Sequence, residues 1–228
     1  MKRLLSLLLA FILALANLNF AYAAEQPALT KEFVKEAELS VTRDDKGEQV
    51  ILLTNVEEVP TRTRSQEKTY AQTTVAILGE NEEETAKIIE NIQELQRGSG
   101  QFTEDGWFYG SSVYLSSTIY YTTNPSSTGF PVIGLNRVTM QCTTNSGSSV
   151  SKMTLTMIQQ GYCYPDLQYR EQRKDFDAKN ARSFSAPSSW YPVDMNSTLT
   201  VVGAAIDCTA TRPGGGSSTF RLTNNIVG

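Results

Sequence analysis

Apolar residues are spaced in three different ways along this chain, and each spacing predicts a different kind of segment. The first is a solid run from Leu4 to Leu18, preceded by Lys2 and Arg3 and followed by Ala21-Tyr22-Ala23. A charged start, an apolar stretch and small residues at the first and third places of a cleavage site predict a secretory signal peptide over 1–23, cut after Ala23. The run is shorter than the roughly 20 residues that span hydrocarbon and is interrupted by Asn17 and Asn19, so cleavage is expected rather than anchoring. No later stretch has spanning length, so no membrane insertion is expected after the signal is removed.

The second spacing is helical. Ile88, Ile89, Ile92 and Leu95 fall on one stripe, with Asn81 placed to cap the first turn and Gly98 placed to end the helix in a left-handed conformation. Glu82, Glu83 and Glu84 suit the positive end of that helix. Just before it, the β-branched run within Tyr70 to Leu78 predicts a strand. Residues 24–69 form an acidic, partly flexible leader, with a hairpin of Ala37–Thr42 and Gln49–Thr54 turning at Asp44-Asp45-Lys46-Gly47.

The third spacing, period two, governs the chain from Gly106 onward. Val113, Leu115, Ile119 and Tyr121 share one face of a strand, and Tyr114, Ser116, Thr118 and Tyr120 share the other. Val138, Met140 and Cys142 alternate with polar neighbours, as do Met153, Leu155 and Met157, and a turn at 145–149 suggests that these two strands form one hairpin. A last hairpin about Pro213-Gly214-Gly215-Gly216-Ser217 places Ile206 opposite Leu222 and Cys208 opposite Phe220, after a bulge at Gly203. The expected fold is mainly β: an antiparallel β-sandwich, Ig-like or similar, preceded by one α-helix, with residues 70–228 as the folded domain.

Charge narrows the partners. Lys2 and Arg3 leave with the signal segment, moving the net charge from −4 to −6. Nucleic acid is not expected as a partner, because phosphate binding draws on clustered Lys and Arg that this chain lacks. The absence of histidine from all 228 residues excludes Ser-His-Asp and Cys-His triads and HExxH zinc sites within the chain. No catalytic residue, cofactor or metal is assigned.

Carboxylates remain as candidates for glycan hydrolysis, Glu104 and Asp105 before Trp107 and Asp207 on a strand, although turn chemistry and surface placement account for all three. Asp175-Phe176-Asp177 begins like a calcium loop but has Lys179 where an oxygen ligand belongs. Cys142, Cys163 and Cys208 all take the inward parity of their strands. In a 137–163 hairpin Cys142 and Cys163 are ~33 Å apart along the strand, so the candidate disulfides are Cys142 or Cys163 with Cys208, the first slightly favoured. Three reduced core thiols are the alternative.

Aromatic residues carry the only positive hint of binding. Tyr114 and Tyr120 lie on the polar face of their strand, and Trp107, Tyr109, Tyr162, Tyr164, Tyr169, Trp190 and Tyr191 sit near strand ends or loops. Such rings stack on sugars or anchor proteins when exposed, and pack across strands when covered. Asn196-Ser197-Thr198 is a glycosylation sequon.

The order of signal segment, acidic leader, Gln72-Thr73-Thr74-Val75-Ala76-Ile77-Leu78, Glu-rich helix, Thr118-Ile119-Tyr120-Tyr121, Arg137-Val138-Thr139-Met140-Gln141-Cys142 and Phe220-Arg221-Leu222-Thr223-Asn224-Asn225-Ile226 resembles a group of small secreted proteins from Gram-positive bacteria. The resemblance implies an extracellular location and β architecture, and assigns no residue a role. The expectation is a secreted, non-enzymatic binding or surface-associated protein for a cell-surface glycan or protein, using the Tyr114 and Tyr120 face. The alternatives are a carboxylate-dependent glycan or cell-wall hydrolase and a secreted inhibitor.

Overall fold

The computed structural model describes residues 29–60, 67–99, 108–125, 130–145, 147–179, 182–214 and 216–227. The signal segment at 1–23, Glu104, Asp105 and Trp107 lie outside the described residues. Among the described residues no helix is long and apolar enough to cross a membrane.

The chain enters through a short helix that the apolar pattern does not announce, α1 (Lys31–Glu36), capped by Thr30, whose hydroxyl accepts from the Phe33 amide at 3.1 Å. The leader hairpin follows as β1 (Glu38–Arg43) and β2 (Gln49–Val59). Its turn is held by Asp44, whose Oδ1 accepts from the amides of Lys46 and Glu48, both at 2.9 Å, while Gly47 takes a φ of 83°. Pairing of β2 with β3 (Lys68–Gly79) makes this hairpin part of the main sheet.

Helix α2 (Glu82–Gln96) begins where the capping signal places it. Asn81 accepts from the Glu84 amide at 3.0 Å, and Gly98 beyond the last turn has a φ of 96°. Ile88, Ile92 and Leu95 are buried against Ile51, Leu53, Val75, Ile77 and Tyr114, so α2 covers the outer face of β2, β3 and β4 (Ser111–Pro125). Covered on both sides, β3 is buried from Ala71 to Gly79, which is why its sequence is a nearly unbroken small and apolar run.

The remaining strands are β5 (Pro131–Thr144), β6 (Ser149–Cys163), β7 (Gln168–Asp177), β8 (Ser183–Ser185), β9 (Val193–Asp194), β10 (Val201–Thr211) and β11 (Ser217–Val227). All pairings are antiparallel, and they join into one eleven-stranded sheet, in the order β1-β2-β3-β4-β5-β9-β6-β10-β11 with β7 on β6 and β8 on β5. The sheet is curled into a half-barrel. In place of the two separate sheets of an Ig-like sandwich, two limbs of one sheet, β1 to β5 and β7-β6-β10-β11, meet through the two residues of β9. Val193 is the joint, opposite Ile133 on one side and Cys163 on the other.

One expected pairing is corrected. Residues 137–163 do not form a hairpin, because β5 pairs with β4 on one edge and with β8 and β9 on the other, leaving none for β6. The link after Thr144 instead carries the chain from one limb to the other. Val113, Leu115, Ile119, Val138 and Met140 of the first limb therefore share a core with Met153, Leu155, Ile206, Phe220 and Leu222 of the second. The last hairpin has the expected register, Ile206↔Leu222 and Cys208↔Phe220, with the register shift between Val202 and Gly203.

Polar contacts also tie the limbs together. Gln72 Nε2 donates to Asn224 Oδ1 at 2.7 Å, and Asn224 Nδ2 donates back to the Gln72 and Ser117 carbonyls at 3.1 and 3.0 Å. At the other end, Arg212 pairs with Asp44 at 3.0 Å and with Glu48, while Asp45 exchanges hydrogen bonds with Thr219. The first hairpin is thus fastened to the last.

Candidate functional site

Tyr114 and Tyr120 point to the same side of β4, as their parity requires, but only one of them is near solvent. Tyr114 is 9% exposed, packed beneath α2, with its hydroxyl accepting from the Phe108 amide at 2.6 Å. Burial pushes this phenol up to about 12. The expectation that the whole polar face of β4 is open is corrected at this residue: α2 supplies a second core that the alternation of β4 alone does not reveal.

Tyr120 lies further along the strand and is half-buried. Its cross-strand partner Arg137 lays its guanidinium over the ring, with the central carbon 4.2 Å from the ring centroid. Thr118 nearby hydrogen-bonds Thr73 across the strands at 2.9 Å. A groove of about 190 Å³ lies on this same outer face, between α1 and the sheet, lined by Thr30, Phe33, Glu36, Asn55, Glu57 and Thr73.

The more open aromatic group is on the other limb. Tyr162 and Tyr169 are directly paired residues of β6 and β7, 41% and 46% exposed, with ring centroids 5.7 Å apart in an edge-to-face arrangement. Gln160 donates its amide to the Tyr169 hydroxyl, which fixes one ring against the sheet. By strand parity the same outer surface carries Ile158, Thr156 and Ala205 toward the centre, and Glu171 and Arg173 on β7. Both described helices pack on the other limb, and among the described residues no helix covers this face.

The sequence pattern marks Tyr162 and Tyr169 only as aromatics near strand ends. The signal that could have singled them out is the outward parity of Tyr162 relative to Met153, Leu155 and Met157, once β6 runs unbroken to Cys163. The pairing partner was hidden, because Gln168–Asp177 does not look like a strand. On its inner side, Arg170 lies over the Tyr191 ring at 4.9 Å and pairs with Asp166, which holds the Asp166 carboxyl below its usual range. Gln172 bonds both the amide and the carbonyl of Tyr191, at 2.6 and 2.8 Å, fixing that segment to β7.

Asp207 and Asp177 flank Thr154 on the outer face, and the candidate carboxylates there each have a partner of their own. Asp207 is engaged by Arg221 through two bonds of 2.8 Å on the outer face of β10 and β11. Asp175 accepts from Thr156 at 2.6 Å, which together with Arg173 holds its carboxyl below the ordinary value, and it lines a groove of about 350 Å³ with Lys152, Asp177 and Lys179. Asp177, on the same groove, accepts from the Lys179 amide at 3.1 Å. No group of three or more His, Cys, Asp or Glu placed to hold a metal occurs among the described residues. Asn196 of the sequon is exposed in the turn before β10.

All three cysteines are free thiols, Cys142 half-buried and Cys163 and Cys208 buried. Cys142 and Cys208 face the same core from β5 and β10, two strands that approach each other across it. Cys163 sits apart near the β9 joint, between the Gly161 carbonyl at 3.8 Å and Gln172 Nε2 at 3.6 Å. Comparison of the chain with protein-family models, with curated proteins and with solved structures finds no match.

Proposed function

We propose that this protein is an exported, non-enzymatic binding module that engages a cell-surface glycan through the outer face of the β7-β6-β10-β11 limb. The observation that carries the reading is the Tyr162–Tyr169 pair, two open rings held edge to face and flanked by amide, carboxylate and guanidinium groups. Sugar rings offer apolar C–H faces and a rim of hydroxyls. An exposed aromatic pair takes the first, and Gln160, Glu171 and Arg173 suit the second. Tyr120 with Arg137 forms a smaller secondary element on the opposite limb. Export follows from the signal-like segment, and N-terminal sequencing of secreted protein should begin at Ala24.

The reading favours binding over hydrolysis because Asp207, the described candidate acid, is already paired by Arg221. The test is a glycan array and a pull-down on purified cell-wall polysaccharide with the wild type, Tyr162→Ala, Tyr169→Ala and Tyr120→Ala. Loss of either ring of the pair should weaken binding about tenfold, the equivalent of roughly 1.4 kcal/mol. Tyr120→Ala should have a smaller effect. Equal binding by wild type and the Tyr162→Ala, Tyr169→Ala double variant would remove this face from consideration, and turnover of the polysaccharide would replace the reading with the hydrolase.

A further inference from the structure

We propose that Cys142 and Cys208 are a dithiol that oxidises to a disulfide clasping the two limbs of the half-barrel, with Cys163 left as the unpaired third thiol. Cys142 is on β5, opposite Leu115 of the first limb, and Cys208 is on β10 of the second limb, opposite Met153 and Phe220. Their side chains pack in the same core, from two strands that approach each other across it. A bond between them would join strands that share no backbone hydrogen bonds, across the one interface where the sheet meets itself.

The two thiols also differ in the way a two-step exchange requires. Cys142 is half-buried at the rim of the core, whereas Cys208 is fully buried, so an oxidant in solution reaches Cys142 first. The neighbouring Cys208 thiol holds Cys142 below the ordinary thiol value, while Cys142 and burial push Cys208 up. Cys163 has neither access nor a partner thiol. It is buried near the β9 joint, and burial pushes it up despite the nearby Arg170 guanidinium.

The chemistry closes with a disulfide as oxidant. The Cys142 thiolate attacks one sulfur of a small-molecule disulfide, forming a mixed disulfide and expelling a thiolate. Cys208 gives its proton to that departing thiolate and attacks the Cys142 sulfur, expelling the second thiol, which takes up the proton Cys142 had lost. Two electrons pass from the protein dithiol to the oxidant, which leaves as two thiols.

The experiment uses the full mature chain equilibrated with glutathione disulfide, then denatured, alkylated and mapped by mass spectrometry. Expected are a single alkylated cysteine, Cys163, and a linked peptide pair containing Cys142 and Cys208 that dithiothreitol separates. Reduction should also lower the thermal midpoint by roughly 5–10 °C. The Cys142→Ser variant should keep two alkylatable thiols and form no link. Cys163→Ala, which retains the pair, should keep the link and the reduction-sensitive midpoint. Alkylation of all three thiols after oxidation, a link that includes Cys163, or a link found only between chains would overturn the proposal.

Discussion

At the scale of single residues, the phenol of Tyr114 is the group whose environment makes the sharpest demand. Its oxygen accepts from the Phe108 amide under α2, and burial pushes its pKa up to about 12 from 10.0. The folded state therefore holds this proton more tightly than the unfolded chain does. The stability it contributes is complete below pH 10 and is lost as the pH rises through about 12. Tyr114→Phe should lose about 1–2 kcal/mol near neutral pH, because the Phe108 amide loses its acceptor. It should then be spared an alkaline loss of about 2–3 kcal/mol that the wild type suffers. Urea denaturation of both proteins across that range checks this, and parallel curves would show that the phenol stays unstrained. The same residue shows what a strand's own pattern cannot convey. Alternation says that Tyr114 and Tyr120 share a side of β4, but which of them is covered depends on where α2 lands. Tyr162 is obscured differently, since the pattern of β6 does not say whether another element covers that face.

Among the elements, the β10–β11 hairpin shows how a local rule fixes a long register. Gly203 stands at the bulge, where an added Cβ would meet the Asn224 carbonyl and Asn225 Oδ1, both at 2.5 Å. Gly203→Ala should therefore destabilise the fold by about 2–3 kcal/mol, read by urea denaturation, because the atoms in its way include backbone that cannot rotate aside. Gly47→Ala meets no atom within 4 Å and tests the other effect, the φ of 83°, at a smaller expected cost of about 1 kcal/mol. A bulge glycine flanked by alternating runs was legible in the sequence, as was α2, whose stripe and cap obey the same 3.6-residue rule. Strand β7 was not. Its Gln168–Asp177 run places charged residues on both faces, since one edge faces solvent, and period-two reading needs an apolar face to work on. The step from β5 to β6 departs from the expected hairpin for a related reason. A short Asn, Ser and Gly link suits a hairpin turn, and only the occupation of both β5 edges by β4, β8 and β9 sends the chain across instead.

For the molecule as a whole, the two limbs must be held together although, among the described strands, β9 alone joins their ladders. Apolar burial between Leu115, Ile119, Ile206 and Phe220 supplies attraction but little direction, because side chains of this kind tolerate sliding. Direction comes from the buried groups that must find partners. Arg212 and Asp44 are 7% and 0% exposed, so Arg212→Ala should cost about 3–5 kcal/mol by leaving the Asp44 carboxylate buried without its cation, as denaturation of the variant would show. A Cys142–Cys208 disulfide would add up to about 4 kcal/mol by closing a loop of roughly 65 residues in the unfolded chain. The Gln72–Asn224 pair is the most direct test of registration, since each amide is matched to the other limb and both are buried. Asn224→Ala should cost about 2–3 kcal/mol, because it strips the Gln72 amide of one acceptor and two carbonyls of their donor. Gln72→Ala should cost a similar amount. If the two act as one clasp, the double variant should lose less than the sum by about 1–2 kcal/mol, since the second substitution removes groups the first has already orphaned. Additive losses would mean that the apolar core alone sets how the limbs face each other.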